Sequence, residues 1–117
     1  ISKLDNLKII NFAGCDGSLS MVHALIGLLR VSSVIEKIHL QNNQMNSHDM
    51  KILSSAIISS KSKNSLKSIE LQWNQIGDEG LMATALIIKN CKNLQYVDIT
   101  HCGGSQKGRE LCIKASK

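Results

Sequence analysis

Apolar residues return in one nine-residue frame at four places along the chain. These are LKIINFAGC (Leu7 to Cys15), IEKIHLQNN (Ile35 to Asn43), LKSIELQWN (Leu66 to Asn74) and LQYVDITHC (Leu94 to Cys102). The frames start 28, 31 and 28 residues apart. One such nonamer arises by chance, but four at near-constant period mark an internal repeat. Within each frame the fourth and sixth positions are apolar and alternate with polar neighbours, which is strand periodicity. In the third frame Ile69 and Leu71 point one way and Ser68, Glu70 and Gln72 the other. The ninth position is Cys15, Asn43, Asn74 and Cys102. Asparagine carries a donor and an acceptor and can satisfy backbone groups where a strand ends in a bend. Cysteine is small and apolar enough to be buried at the same point.

Behind each frame the apolar period changes to three and four, which predicts a helix. Leu19, Val22, Leu25, Ile26 and Leu29 form the first face, and Met50, Leu53, Ala56 and Ile57 the second. Leu81, Ala85 and Ile88 form the third, after a Gly77-Asp78-Glu79-Gly80 turn that brings two acids to the positive end of a helix. The last helix, Lys107 to Ala115, offers Leu111, Cys112 and Ile113 for burial. Ser59 to Ser65 reads as a polar, exposed loop that lengthens the second unit. The outer units share C-x-G-S (Cys15 to Ser18, Cys102 to Ser105), with Gly17 and Gly104 where the inner units have Met45 and Ile76. Different packing of the outer bends is therefore expected.

The expected architecture is one α/β domain over residues 1–117, a solenoid of about four strand-helix units near 4–31, 32–62, 63–90 and 91–117. No polar cap is visible at either end, and the chain begins within a unit, so continuation into further repeats or domains is expected.

Composition narrows the function classes. At 43% hydrophobic and 20% charged, the 117 residues build a globular core, and no apolar run is long enough for a membrane span. The net charge of +5 comes from twelve lysines and two arginines scattered along the chain. Nucleic-acid sites lean on arginine forks and stacking aromatics, so a solvated basic surface is the better reading. Cys15, Cys91, Cys102 and Cys112 contain no CxxC pair; an even count in a short secreted chain would suggest disulfides, but a chain this rich in Leu and Ile builds a core without staples, which favours reduced thiols in a cytoplasmic setting. A zinc site from Cys91, His101, Cys102 and Cys112 matches no common ligand spacing. Gly103-Gly104-Ser105 before Lys107 fails the phosphate-loop spacing, and no serine sits in a nucleophile elbow. No cofactor, metal or catalytic group is expected.

The frame L-x-x-L-x-L-x-x-N/C resembles the leucine-rich repeats of the ribonuclease-inhibitor type. LKSIELQWNQIGDEGL (Leu66 to Leu81) follows that family's unit almost position by position. The resemblance runs from about Leu4 to about Ile113. It implies a curved solenoid with parallel strands on the concave face, helices on the convex face, and a protein partner held by the strands and the loops after them. On this chain those outward positions form rows: Ile9, Lys37, Ser68 and Tyr96; Asn11, His39, Glu70 and Asp98; Ala13, Gln41, Gln72 and Thr100; and, at the edge, Gly14, Asn42, Trp73 and His101. Equivalent positions lie ~4.8 Å apart in a parallel sheet. The candidate partner-binding residues are Lys37, His39, Gln41, Glu70, Gln72, Trp73, Tyr96, Asp98, Thr100 and His101.

Two of the three aromatics, Trp73 and Tyr96, fall on outward positions, where such residues anchor interfaces. The plainer reading of Trp73 is that it folds down over its own loop. Glu70 and Asp98 share a row, but an open sheet offers little of the burial a catalytic pair needs. His39 and His101 read most simply as solvated. The resemblance also implies two other uses: the sensing or autoinhibitory segment of a nucleotide-binding immune receptor or a bacterial effector, and a GTPase-activating protein. The latter needs an exposed arginine on a post-strand loop, and Arg30 and Arg109 both fall in predicted helices.

Overall fold

The computed structural model describes residues 6–16 and 19–116. The Leu4 end of the first unit and the Gly17-Ser18 part of its C-x-G-S bend lie outside them, and the Leu19 side chain is not described. The elements alternate in chain order: β1 (Ile9–Asn11), α1 (Leu19–Val31), β2 (Lys37–His39), α2 (Ser47–Ser59), β3 (Ser68–Glu70), α3 (Gly77–Asn90), β4 (Tyr96–Asp98) and α4 (Gln106–Ala115). A single 3-10 turn, Lys61–Asn64, follows α2. The four strands form one parallel sheet in sequence order, and the registers join Ile10, Ile38, Ile69 and Val97 in a single line. This is the leucine-rich-repeat fold, four strand-helix units stacked on one another.

The core is the line between sheet and helices. Ile10, Ile38, Ile69, Leu40 and Leu71 meet Val22, Leu25, Leu29, Met50, Leu53, Ile57, Leu81 and Ile87, all at most 4% exposed. The faces of α1 and α2 follow the apolar period. On α3 the buried face is Leu81, Ala83, Thr84 and Ile87, while Ala85 and Ile88 are only half-buried. Thr84 is tolerated because its hydroxyl donates to Gly80 O (2.9 Å). On α4 the expectation fails for two of three residues: Cys112 is buried, but Leu111 and Ile113 are 39% and 58% exposed. Helix α4 packs chiefly on α3, and Leu111 and Ile113 stay on its uncovered side.

Two ladders of polar side chains tie unit to unit. At the strand exits, Asn74 Oδ1 accepts from Asn43 N–H (3.1 Å) and Met45 N–H (2.9 Å), and its amide donates to Leu40 O and Leu71 O. Asn43 repeats this one unit earlier, accepting from Cys15 N–H and donating to Phe12 O and Leu40 O. Cys102 takes the same place in the fourth unit and donates its thiol to Leu71 O (3.1 Å). The residue before each rung has positive φ: Gly14, Asn42, Trp73 and His101. This tight bend lets Asn43, Asn74 and Cys102 turn into the core, whereas Cys15, expected to be buried at the same point, stays exposed in the first unit.

The second ladder lies where helices return to strands, and it corrects the reading of Ser59 to Ser65 as a plain exposed loop. Ser62 is 1% exposed. Its hydroxyl donates to Ser32 O (2.9 Å) and accepts from Ile35 N–H (3.2 Å), while Ser32 donates in turn to Leu7 O (2.7 Å). Ser60 caps the turn by accepting from Ser62 N–H. The segment is polar because it satisfies buried backbone, not because it is solvated. Ser62→Ala should therefore cost about 2 kcal/mol, since it strands a buried donor and a buried acceptor. Urea titration checks this, with Lys61→Ala, an exposed neighbour, staying within about 0.5 kcal/mol of the native chain. Equal midpoints for the two variants would sink the ladder account.

Candidate functional site

The strand registers place two of the four expected rows side by side, and backbone bonds beyond the strands continue the other two. Ile9, Lys37, Ser68 and Tyr96 are paired in register, as are Asn11, His39, Glu70 and Asp98. Backbone bonds carry the ladder past the strands: Gly14 N–H to Gln41 O, Asn42 N–H to Gln72 O and Trp73 N–H to Thr100 O. Gln41, Gln72 and Thr100 thus follow the second row, and Asn42, Trp73 and His101 follow them at the rim.

Trp73 neither folds over its own loop nor stands free. Its ring stacks on that of His101, with centroids 3.9 Å apart and planes 14° from parallel, and the residue remains 57% exposed. The positive φ shared by the two positions sends both rings out at the same angle from adjacent units. Tyr96, 52% exposed, opens the last strand and donates its hydroxyl to Asp98 Oδ2 (3.2 Å). That bond to a carboxylate, together with its charge, raises the Tyr96 pKa.

The acids are already engaged. Glu70 Oε2 lies in direct contact with His39 Nδ1, and Glu70 Oε1 accepts from Gln72 Nε2 (3.2 Å). Both members of the His39–Glu70 pair are half-buried, so His39 is not the solvated histidine expected from its place in the sequence. Asp98 accepts from Thr100 N–H (2.9 Å) and from the Thr100 hydroxyl. Burial acts to raise the Asp98 pKa, but the bonds from Thr100 and Tyr96 overcome it and hold the carboxyl below its ordinary value. Lys37 is exposed at the β2 end of the first row. The ten candidate residues therefore fall on neighbouring positions of the sheet and its rim, which carry aromatic faces, engaged carboxylates and amides.

The cysteines separate from this surface. Cys91, Cys102 and Cys112 are buried, and burial pushes each thiol up to about 11. Cys102 and Cys112 donate inward, to Leu71 O and Leu81 O, while His101 lies on the rim against Trp73. Among the described residues no three His, Cys, Asp or Glu side chains converge to hold a metal ion. Arg30 and Arg109 lie on α1 and α4, and Arg109 Nη1 reaches back to donate to Gly104 O (3.4 Å) in the loop after β4. Among the described residues no helix is long and apolar enough to cross a membrane.

Sequence reasoning missed the contacts within the rows rather than the rows. It also missed two open grooves: one of about 770 Å³ between the C-terminal ends of α1 and α2, and one of about 500 Å³ beside β4 and α4 that Tyr96 itself lines.

Comparison with known proteins agrees with the fold. A leucine-rich repeat family model matches residues 62–83, the stretch that carries the third frame. Among solved structures, the leiomodin-1 actin-binding site 2 superposes with a TM-score of 0.73 over 95% of this chain, at 16% identity. The chain spans 64% of that structure's length. No curated protein matches the sequence. The superposition agrees with the leucine-rich-repeat fold, and residues 62–83 match a leucine-rich repeat.

Proposed function

We propose that the chain is a non-enzymatic module that captures a protein partner on its concave sheet, built from repeats of the ribonuclease-inhibitor type. The observation that carries this reading is the pair Trp73 and Tyr96. Both are more than half exposed, both sit on adjacent units, and both are already held in place, by His101 and by Asp98. Exposed aromatics cost solvation, and fixing them beforehand reduces the entropy lost on binding. The engaged state of Glu70 and Asp98 on an open face speaks for binding rather than catalysis. The leiomodin segment is named for actin binding; at 16% identity the likeness carries the general use, protein binding, and leaves this chain's partner to experiment.

The fourth unit supports a neighbour beyond it. Leu94, Val97 and Ile99 are half-buried, whereas Leu66, Ile69 and Leu71 at the same positions are at most 1% exposed. A further repeat or domain packed there would complete the core. Thiol groups used as inward hydrogen-bond donors fit a reducing, cytoplasmic setting.

The test is affinity capture with the native chain and with a Trp73→Ala, Tyr96→Ala double variant. Buried aromatic anchors are each worth about 2 kcal/mol, so the variant should bind the captured partner about a hundredfold or more weakly. Circular dichroism should show both folded. Identical capture by both chains overturns the concave-face reading.

A further inference from the structure

We propose that the β3–β4 part of the concave sheet receives an arginine side chain presented by the partner. This deepens the reading of the sheet as the binding face and rests on it. Charge is divided across the sheet. Lys37 is exposed on β2, whereas the β3–β4 side carries Glu70 and Asp98 in register on adjacent strands and no lysine or arginine in the three rows around them; Lys67, at the frame position before β3, lies 3.7 Å from Glu36 of the preceding unit. On a chain of net charge +5 this acid pair stands against the prevailing sign. Screening confines the wider positive field to about 8–10 Å at ordinary salt, so the nearby carboxylates dominate at contact.

The neighbours of the pair match a guanidinium in kind. Tyr96 stands on the strand beside Asp98, and the Trp73–His101 stack forms the rim beyond Thr100. A planar cation binds well against aromatic faces, and arginine does so better than lysine. Between the acids and the rim lie Gln41 and Gln72, whose Oε1 atoms are buried without a hydrogen-bond partner. Gln72 already lies against Glu70 through its Nε2. The two carboxylates, each with acceptor capacity beyond its present bonds, call for a ligand rich in donors, and a guanidinium brings five in a rigid fork. His39 and Thr100, which hold Glu70 and Asp98 now, keep the carboxylates in fixed positions for it. The arginine enters with its plane against the aromatic rim and its N–H groups towards the acid row.

Trp73 is the single tryptophan, so its fluorescence reports directly on the site. The native chain is titrated with a tetra-arginine peptide, with tetra-citrulline, which keeps the shape without the charge, and with tetra-lysine. Saturable binding of tetra-arginine is expected, with citrulline and lysine peptides each binding at least tenfold more weakly. A Glu70→Gln, Asp98→Asn double variant, which keeps acceptor oxygens for His39 and Thr100, should lose at least tenfold for tetra-arginine. Equal binding of the citrulline peptide, or an unchanged variant, overturns the acid site. Equal binding of tetra-lysine overturns the assignment to arginine. The two proposals separate in partner capture. Loss with Trp73→Ala, Tyr96→Ala but full capture with Glu70→Gln, Asp98→Asn leaves the concave face standing and removes the arginine. Full capture with both variants removes both.

Discussion

Replacing Asn74 by alanine is expected to destabilise the chain by about 3–4 kcal/mol. Asn74 is fully buried, and its side chain makes four hydrogen bonds, two as acceptor and two as donor. Removal leaves the Asn43 and Met45 N–H groups without that acceptor inside the stack. A buried donor left unpaired costs about 1–3 kcal/mol, whereas a bond exchanged with water is worth only about 1 kcal/mol. The rung also joins the second unit to the third, so the cost falls on the interface that holds the solenoid together. Against a total of about 5–15 kcal/mol, this is a large fraction. With a urea slope of about 1.5–2 kcal/mol/M, the midpoint should fall by about 2 M. Asn74→Cys gives the internal control, because Cys102 fills the equivalent place and donates to Leu71 O. It keeps a donor for a strand carbonyl and should cost clearly less than alanine. An alanine variant within about 1 kcal/mol of the native chain, or a cysteine variant no better than alanine, would refute the ladder as the source of cohesion.

That asparagine was legible in the sequence because repetition turns a local pattern into a three-dimensional register. Four frames with alternating apolar positions fix which side chains face the core, and the nearly constant period fixes which of them are neighbours. Hence the row containing His39, Glu70 and Asp98 could be written down from the chain alone. What happens within a row could not. His39 meets Glu70 and Thr100 binds Asp98 because side chains choose partners among several within reach. The same limit explains Ser62. A run of serines and lysines looks solvated by composition, and its burial depends on Ser32 and Ile35 some thirty residues earlier. On α4 the misjudgement runs the other way: Leu111 and Ile113 read as core, but an apolar residue is buried only where a second surface faces it. Gly104 was visible as a departure from Ile76, yet the distance between two backbones is not written in either.

That distance sets the second large effect. Gly104→Ala should cost about 2–4 kcal/mol, and the cost should exceed that of alanine at two other glycines with the same backbone sign. Gly14, Gly103 and Gly104 all have φ between +67° and +79°, where an L-residue is strained by about 1–2 kcal/mol. They differ in what a methyl group meets. At Gly14 nothing lies within 4 Å, so strain alone is felt. At Gly103 the methyl comes 2.9 Å from Gln75 Oε1, the tip of a flexible side chain that can swing aside. At Gly104 it comes 3.0 Å from Asp78 Oδ1, 2.9 Å from Leu81 Cδ1 and 3.1 Å from the carbonyl carbon of Gly77. Backbone does not swing aside, and overpacking of this kind costs about 1–3 kcal/mol more. Asp78 Oδ1 is also the acceptor for Ser105 N–H (2.8 Å) and the Ser105 hydroxyl (3.0 Å), and these bonds draw its pKa down. Ser105 in turn caps α4. A methyl group at Gly104 therefore pries the start of α4 from the start of α3. Hydrogen exchange should show α4 amides losing protection in the Gly104 variant and keeping it in the Gly14 variant, while urea midpoints fall in the order Gly14, Gly103, Gly104. A Gly103 variant as costly as the Gly104 one would show that positive φ alone governs these turns and that the close approach of α3 and α4 carries no energy.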